Sequence, residues 1–518
     1  MKNRFLLTTG LVIASLLAFT TASAKDLRMA YDADPVTLDI HEQLSGGVLQ
    51  LSHMSFDPLI RWTKELAFEP RLATSFQRLN ATTVRFTLRK GVKFHSGNTM
   101  TASDFKWTFA RLKQSPDFKG IFANFQALNI IDDYTIDLVT NGPYPLVLHT
   151  ATYIFPLDSQ FYSGTDANGN DKAAIVKNGA SFASTNLSGT GPFKIVSREQ
   201  GVKIVFERFD DYWDNASKGN VDRIVFTPIK DEQTRVAALL SGGVDFIAPV
   251  SPNDFDQIRA SDNASLITMP GTRIITFQLN QERRAEFKDQ RVRMAMVHAV
   301  NNEAIVQKIM KGFATTAAQM SPTGYLGNNP NLKPRYDLAL AKKLMKDAGY
   351  ENGFSVTMMA PNNRYVNDDK IAQAVAAMLS KIKIKVDLQT MPKAQYWPSF
   401  DDRAADIMMI GWHSDTEDSA NFYEFLAMTP DQSTGMGAYN SGNYSSEYVD
   451  QQTMKANQET DTAKRAEMLQ AIENKMFQDA AFIPLHWQNL AWAARKGVKL
   501  DPVVNALNLP YLGDLVID

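Results

Sequence analysis

EPRLATSFQRLNATTVRFTLRKGVKFHSGNTMTASDFKWTF, residues 69–109, sets down three structural devices in succession. From Val84 to Arg89 apolar and polar residues alternate, which is the pattern of a half-buried strand. Lys90 to Phe94 leads into Ser96-Gly97-Asn98, a turn cluster, and after it Thr101 or Ser103 caps a helix carrying Phe105, Phe109 and Leu112 on one face. Strand, turn and helix are the expectation.

Outward from this stretch, residues 25–55 and 180–270 read mainly as strands and turns, clearest at Leu27–Tyr31, Lys203–Glu207 and Arg223–Phe226. Thr135–Leu138 is another strand. From about residue 271 the character changes. Ile274–Leu279 reads as a strand able to cross between lobes, and helix and strand units alternate after it. Val292–Ile309 and Asp337–Ala348 have helical spacing, with Asp337 as an N-cap. Phe354–Met359, Ile384–Leu388 and Asp406–Ile410 read as strands, and a helix from Asp368 places Ile371, Val375, Met378, Leu379 and Ile382 on one face. Lys464–Phe477 is one more helix. The alternation implies an α/β lobe with a largely parallel sheet.

Lys2 and Arg4 precede an apolar run from Leu11 to Phe19, and Ala22-Ser23-Ala24 offers the small residues of a cleavage site, so residues 1–24 are expected to be a signal peptide. Their removal leaves 52 basic against 56 acidic residues, net −4, a balance that argues against nucleic acid or an anionic membrane as partner. There is no cysteine, hence no disulfide, thiolate metal site, cysteine nucleophile or lipid-modified N-terminal cysteine. Export without an anchor implies a periplasm. The remaining length exceeds what one core usually holds, so more than one lobe is expected.

The wording LRKGVKFHSGNTMTASDFKWTF (88–109) resembles the signature of the peptide/nickel class of solute-binding proteins, family 5, which deliver ligands to ABC importers. Gly189-Thr190-Gly191-Pro192-Phe193-Lys194 with Tyr212-Trp213, Ser241-Gly242-Gly243-Val244-Asp245-Phe246, and Asp289–Arg293 with Ala299-Val300-Asn301 resemble further blocks of that family. Read singly, Gly189 and Gly191 are turn glycines, since no phosphate-loop spacing follows. The resemblance implies an α/β, two-lobed periplasmic-binding-protein-like fold (type II, cluster C) with an extra subdomain in the first lobe. It implies lobe I from 25–55, 180–270 and 490–518, the subdomain at 56–179 and lobe II at 271–489. Hinge closure around a ligand is the expected behaviour.

Ligands of α/β sheets sit in the crevice outside the carboxyl ends of strands. Arg364 follows the strand Phe354–Met359, and Asp415 follows Asp406–Ile410. A short peptide is a zwitterion; arginine offers a planar fork to its carboxylate, and aspartate accepts from its ammonium. One of each on neighbouring loops makes a complementary clamp, the other reading being two solvated or mutually paired loop charges. The resemblance implies that Arg364-Tyr365-Val366-Asn367 anchors the carboxyl end and Gly411-Trp412-His413-Ser414-Asp415 the amino end. Tyr365, Tyr396, Trp397, Trp412 and Trp487 lie in or near these loops as pocket or core aromatics. Ser45, Gly46 and Gly47 form, by family layout, a loop that brings first-lobe backbone to the ligand. The expected ligand-binding set is Asp415, Arg364, Trp412, Gly411, His413, Tyr365, Trp397, Ser45 and Gly46.

His41-Glu42 lacks the second histidine of HExxH, and no GxSxG elbow exists. Asp415, Glu417 and Asp418 lack calcium-loop spacing, and the seven scattered histidines assemble no metal site. No catalytic residue, metal or cofactor is expected. The leading reading is a monomeric periplasmic receptor that presents short peptides to the transmembrane subunits of an ABC permease. A nickel chelate, an oligosaccharide or an opine-like solute on the same scaffold is the alternative, and an exported peptidase is the rival from another class.

Overall fold

The computed structural model describes residues 25–44 and 46–518; the expected signal peptide, residues 1–24, and Ser45 lie outside the described residues. Thr83–Leu88 is a strand that buries Val84, Phe86 and Leu88. Ala102–Gln114 is the helix that follows, with Phe105, Phe109 and Leu112 turned inward, and the Asp104 carboxylate accepts the Thr101 amide at 2.8 Å. That bond satisfies one of the amides a helix start leaves open. The strand lies within a four-stranded antiparallel sheet in the order Ala73–Asn80, Thr83–Leu88, Thr135–Thr140 and Phe125–Asp132, against which the helix packs. Its core continues into Trp412, Phe422, Phe425 and Leu469 from much later in the chain.

A second, 11-stranded sheet runs through both lobes. At one end Ser355–Pro361 pairs in parallel with Lys385–Met391 and Ile407–Trp412. Toward the other end Asp26–Tyr31 pairs in parallel with Arg223–Pro228 and Phe246–Ala248, and Lys203–Arg208 and Phe193–Glu199 complete the edge. Between these halves, Ala264–Leu279 and Phe482–Arg495 form one long antiparallel ladder. The crossings between lobes are therefore the middle strands of the sheet. Sixteen residues at about 3.3 Å each reach about 50 Å, enough to run through both halves.

Ile267 and Met269 pack on the first-lobe core with Leu27, Phe226 and Trp492. Ile275, Phe277 and Leu279 pack on the second with Val292, Met358 and Met409. Between them the pairing register shifts from Met269 to Arg273, and a Cβ at Gly271 would stand 2.2 Å from the Gln488 carbonyl oxygen. Only glycine lets the paired backbones approach so closely there.

Four sequence expectations need correction. The crossing strand begins at Ala264 rather than Ile274, because Pro270-Gly271 is a bulge within it and not its boundary. The parallel character of the second-lobe sheet is confined to three strands, since the chain enters and leaves by crossings that run in opposite directions. Gly46–Ser55, read as strand and turn, is a helix that buries Val48, Leu49, Leu51 and Met54; two leading glycines mask its helical spacing. Val292–Ile309 is not one helix. Gln290–Ala299 ends, Asn301 caps a new start through its Oδ1 and the Ala304 amide at 2.9 Å, and a π turn follows. Among the described residues no helix is long and apolar enough to cross a membrane.

Candidate functional site

Ile407–Trp412 is a wholly buried strand, and the chain leaves it through His413 and Ser414 to Asp415. Asn421, on the next helix, holds this exit. Its Oδ1 accepts from the Trp412 indole at 2.9 Å and from the Asp415 amide at 3.0 Å. Asp418, three residues beyond Asp415, caps that helix and pairs with Arg465, which commits it to structure. Ser355–Pro361 exits through Asn362 and Asn363 to Arg364, where Asp368 accepts the amides of Arg364 and Tyr365 at 2.8 and 3.0 Å. The two loops are thus fixed by bonds that involve neither the Asp415 carboxylate nor the Arg364 guanidinium.

Those side chains line one cavity together with Trp397, Gly411, Trp412 and His413. A neighbouring chamber shares Arg364 and Arg273 with it and is bordered by Asp32, Lys393, Gln50 and Asn489.

Asp415 is 3% exposed. Its Oδ1 accepts from the Tyr153 hydroxyl at 3.1 Å, and its Oδ2 is buried without a hydrogen-bond partner among the described residues. Burial raises its pKa to about 7, opposed by Tyr153 and by the charge of Arg273. His413 Nε2 stands 4.0 Å from Asp415 Oδ1, and burial together with Arg273 holds that imidazole down at about 3, so it is neutral. Arg364 Nε has no hydrogen-bond partner among the described residues, and its guanidinium lies over the Tyr365 ring at 5.1 Å. The Trp412 ring is stacked on Phe425 at 5.2 Å and tilted against Tyr439 at 4.6 Å, a rigid apolar wall.

The sequence-derived set is therefore brought together at Asp415, Arg364, Trp412, Gly411, His413 and Trp397. Gly411 serves through its backbone, its carbonyl accepting from Arg273 and Tyr365, while a Cβ there would strike Ile275 at 2.6 Å and Tyr365 at 2.7 Å. Tyr365 is buried behind this wall and borders only the cleft mouth. Tyr396 and Trp487 are core, their polar atoms bound to the Met409 and Met320 carbonyls. Gly46 opens a helix rather than a loop, and it is Gly47 that borders a chamber; Ser45 lies outside the described residues.

Sequence reasoning missed Arg273, Tyr153, Gln43 and Tyr439. Arg273 had a signal, a lone charge at the head of the apolar run Ile274-Ile275-Thr276-Phe277. Tyr153 had none, since nothing local links it to a loop 262 residues away.

Two lobes threaded by an antiparallel strand pair, with a charged and aromatic cavity between them, define a ligand-capturing protein of the periplasmic-binding type. The family model for bacterial extracellular solute-binding proteins, family 5 (Middle), matches residues 67–434, and the chain belongs to that family. It is similar to the glutathione-binding protein GsiB of Pectobacterium atrosepticum, 24% identical over 516 residues covering 96% of this chain and 95% of that protein. The dipeptide-binding protein of Escherichia coli K12 is 26% identical over 456 residues, 82% of this chain and 83% of the relative. A solved structure of the ABC transporter-associated periplasmic binding protein DppA from Helicobacter pylori, in complex with peptide STSA, superposes with a TM-score of 0.84 at 25% identity, covering 95% of this chain and 98% of that one.

Proposed function

We propose that this chain is the exported, non-catalytic receptor of an ABC importer, closing its two lobes on a short peptide and delivering it to the permease. The observation that carries the reading is the pairing, across one cavity, of a buried Asp415 oxygen and an Arg364 side chain that, among the described residues, have no hydrogen-bond partner and no carboxylate respectively. A peptide ammonium and a peptide carboxylate supply what each lacks. The ligands for which the relatives are named or with which they were solved, glutathione, dipeptides and the peptide STSA, are of this chemistry.

In this reading Trp397 and Trp412 cover peptide side chains with little discrimination, and His413 lines the site as a neutral hydrogen-bonding group. The lobes divide near residues 55, 180, 270 and 490, the subdomain occupies 56–179, the signal peptide is cleaved after Ala24, and the mature monomer works in the periplasm. Thermal melting of the purified mature protein against pools of short peptides, nickel–histidine chelates and oligosaccharides tests the reading, because a ligand of the native state raises the melting temperature by mass action. A shift with peptides supports it. A shift only with chelates or sugars, or turnover of the peptide pool, overturns it.

A further inference from the structure

The peptide reading leaves one charge unexplained, and the inference here rests on that reading. Arg273 borders both chambers, as Arg364 does. It is 9% exposed, and its one hydrogen bond among the described residues runs from Nη1 to the Gly411 carbonyl at 3.0 Å. A guanidinium carries five N–H donors, so most of this fork is unused. Among the described residues no carboxylate lies within 4.0 Å of either Arg273 or Arg364. The residues outside that description, 1–24 and Ser45, contain no aspartate or glutamate, so this chain has no further acid to offer them.

The other charges at the cavity wall balance. Asp32 and Lys393 approach to 3.5 Å and cancel. His413 is neutral, and Glu417, which accepts from the Tyr325 hydroxyl, lies outside the lining of both chambers. Asp415 then stands against two arginines, an excess of one positive charge along the walls of the two chambers. A buried cation without a counter-ion is costly, and a carboxylate held bidentately by arginine removes that cost.

We propose that the ligand is an anionic peptide with two carboxylates to one ammonium, the ammonium held by Asp415 and the two carboxylates by Arg364 and Arg273. Two sources share this chemistry, an α-peptide with an acidic side chain and a γ-glutamyl peptide.

Calorimetry on the mature protein with matched pairs decides it. Ala-Gln is compared with Ala-Glu, Ala-Gln-Ala with Ala-Glu-Ala, and γ-Glu-Ala is the separate arm for the second source. At least one acidic probe is expected to bind about tenfold or more tightly than its neutral counterpart. Arg273→Gln is expected to cost that probe at least about tenfold more affinity than it costs the neutral one. Should Arg273→Gln not fold, Arg273→Lys keeps the charge, loses the fork, and is expected to narrow the preference. Neutral peptides binding as well as every acidic probe, or an acidic preference unchanged by either substitution, would overturn the inference while leaving the peptide reading standing. Binding of no peptide in the set would overturn both.

Discussion

The Tyr153 hydroxyl donates to Asp415 Oδ1 at 3.1 Å, joining residues 262 apart in the chain, while Oδ2 of the same carboxylate is left without a partner among the described residues. One oxygen is held by the protein, and the other is open for a cation. Removing the hydroxyl in Tyr153→Phe leaves the held oxygen unsatisfied and makes the carboxylate harder to ionise. Peptide affinity should fall by about 1.5 to 3 kcal/mol, the usual worth of a hydrogen bond to a charged group. Calorimetry at neutral pH checks this, and an unchanged affinity would detach Tyr153 from the site.

Affinity should also depend on pH. With Asp415 raised to about 7 by burial, acid protonates the carboxylate that must hold the ammonium, so affinity should fall as pH drops below about 7, by up to about tenfold per unit. Above about 8 the peptide amine itself deprotonates, which places the optimum between these limits. A profile flat from about pH 5.5 to 7.5 would contradict the assignment.

The same shift has a consequence for stability with the opposite sense. A carboxyl whose folded pKa lies above its unfolded value stabilises fully below the unfolded value near 4, and that stabilisation is lost as pH rises through the folded value near 7. The ligand-free wild type should therefore lose stability relative to Asp415→Asn between about pH 5 and 8, on the order of 1 kcal/mol or more. Denaturant titrations at the two pH values read this directly. The variant that binds worst should thus gain relative stability toward alkaline pH.

At the crossing strands, Gly271→Ala would set a methyl 2.2 Å from the Gln488 carbonyl oxygen and 3.2 Å from the Leu490 side chain. The strands must separate to admit it, at a cost of about 1 to 3 kcal/mol. Thermal melting checks the loss. Because the bulge lies between the two lobe cores, solution scattering of the wild type should show a smaller radius with saturating peptide, the ligand favouring the closed form by its differential affinity.

The local devices of this fold were legible because they are written in contiguous residues. Thr83–Leu88 alternates, Asp337 caps Leu338–Asp347 with its carboxylate 2.9 Å from the Leu340 amide, and Asp368 opens a helix whose Ile371, Val375 and Leu379 are buried. Asp415 and Arg364 were found because strand ends place loop residues in the crevice. The part of the crossing strand before Ile274 was missed because a bulge inside a long strand interrupts its pattern until the partner strand is known. Gly46-Gly47 hid a helix for a related reason, since the burial of Leu49 and Met54, and not propensity, holds it. Arg273 and Tyr153 join the site only through sheet pairing and the packing of segments distant in the chain, which no local pattern records.

The central claim is that Asp415 holds the amino end of a peptide and Arg364 a carboxylate. Calorimetry with free, N-acetylated and C-amidated forms of one high-affinity peptide, on wild type, Asp415→Asn and Arg364→Ala, tests it most directly. Acetylation should weaken binding to the wild type, and Asp415→Asn should cost the free peptide about 2 to 5 kcal/mol but the acetylated one little further. Arg364→Ala should cost the free peptide more than the amidated one. Equal affinities of the wild type for all three forms would contradict the clamp.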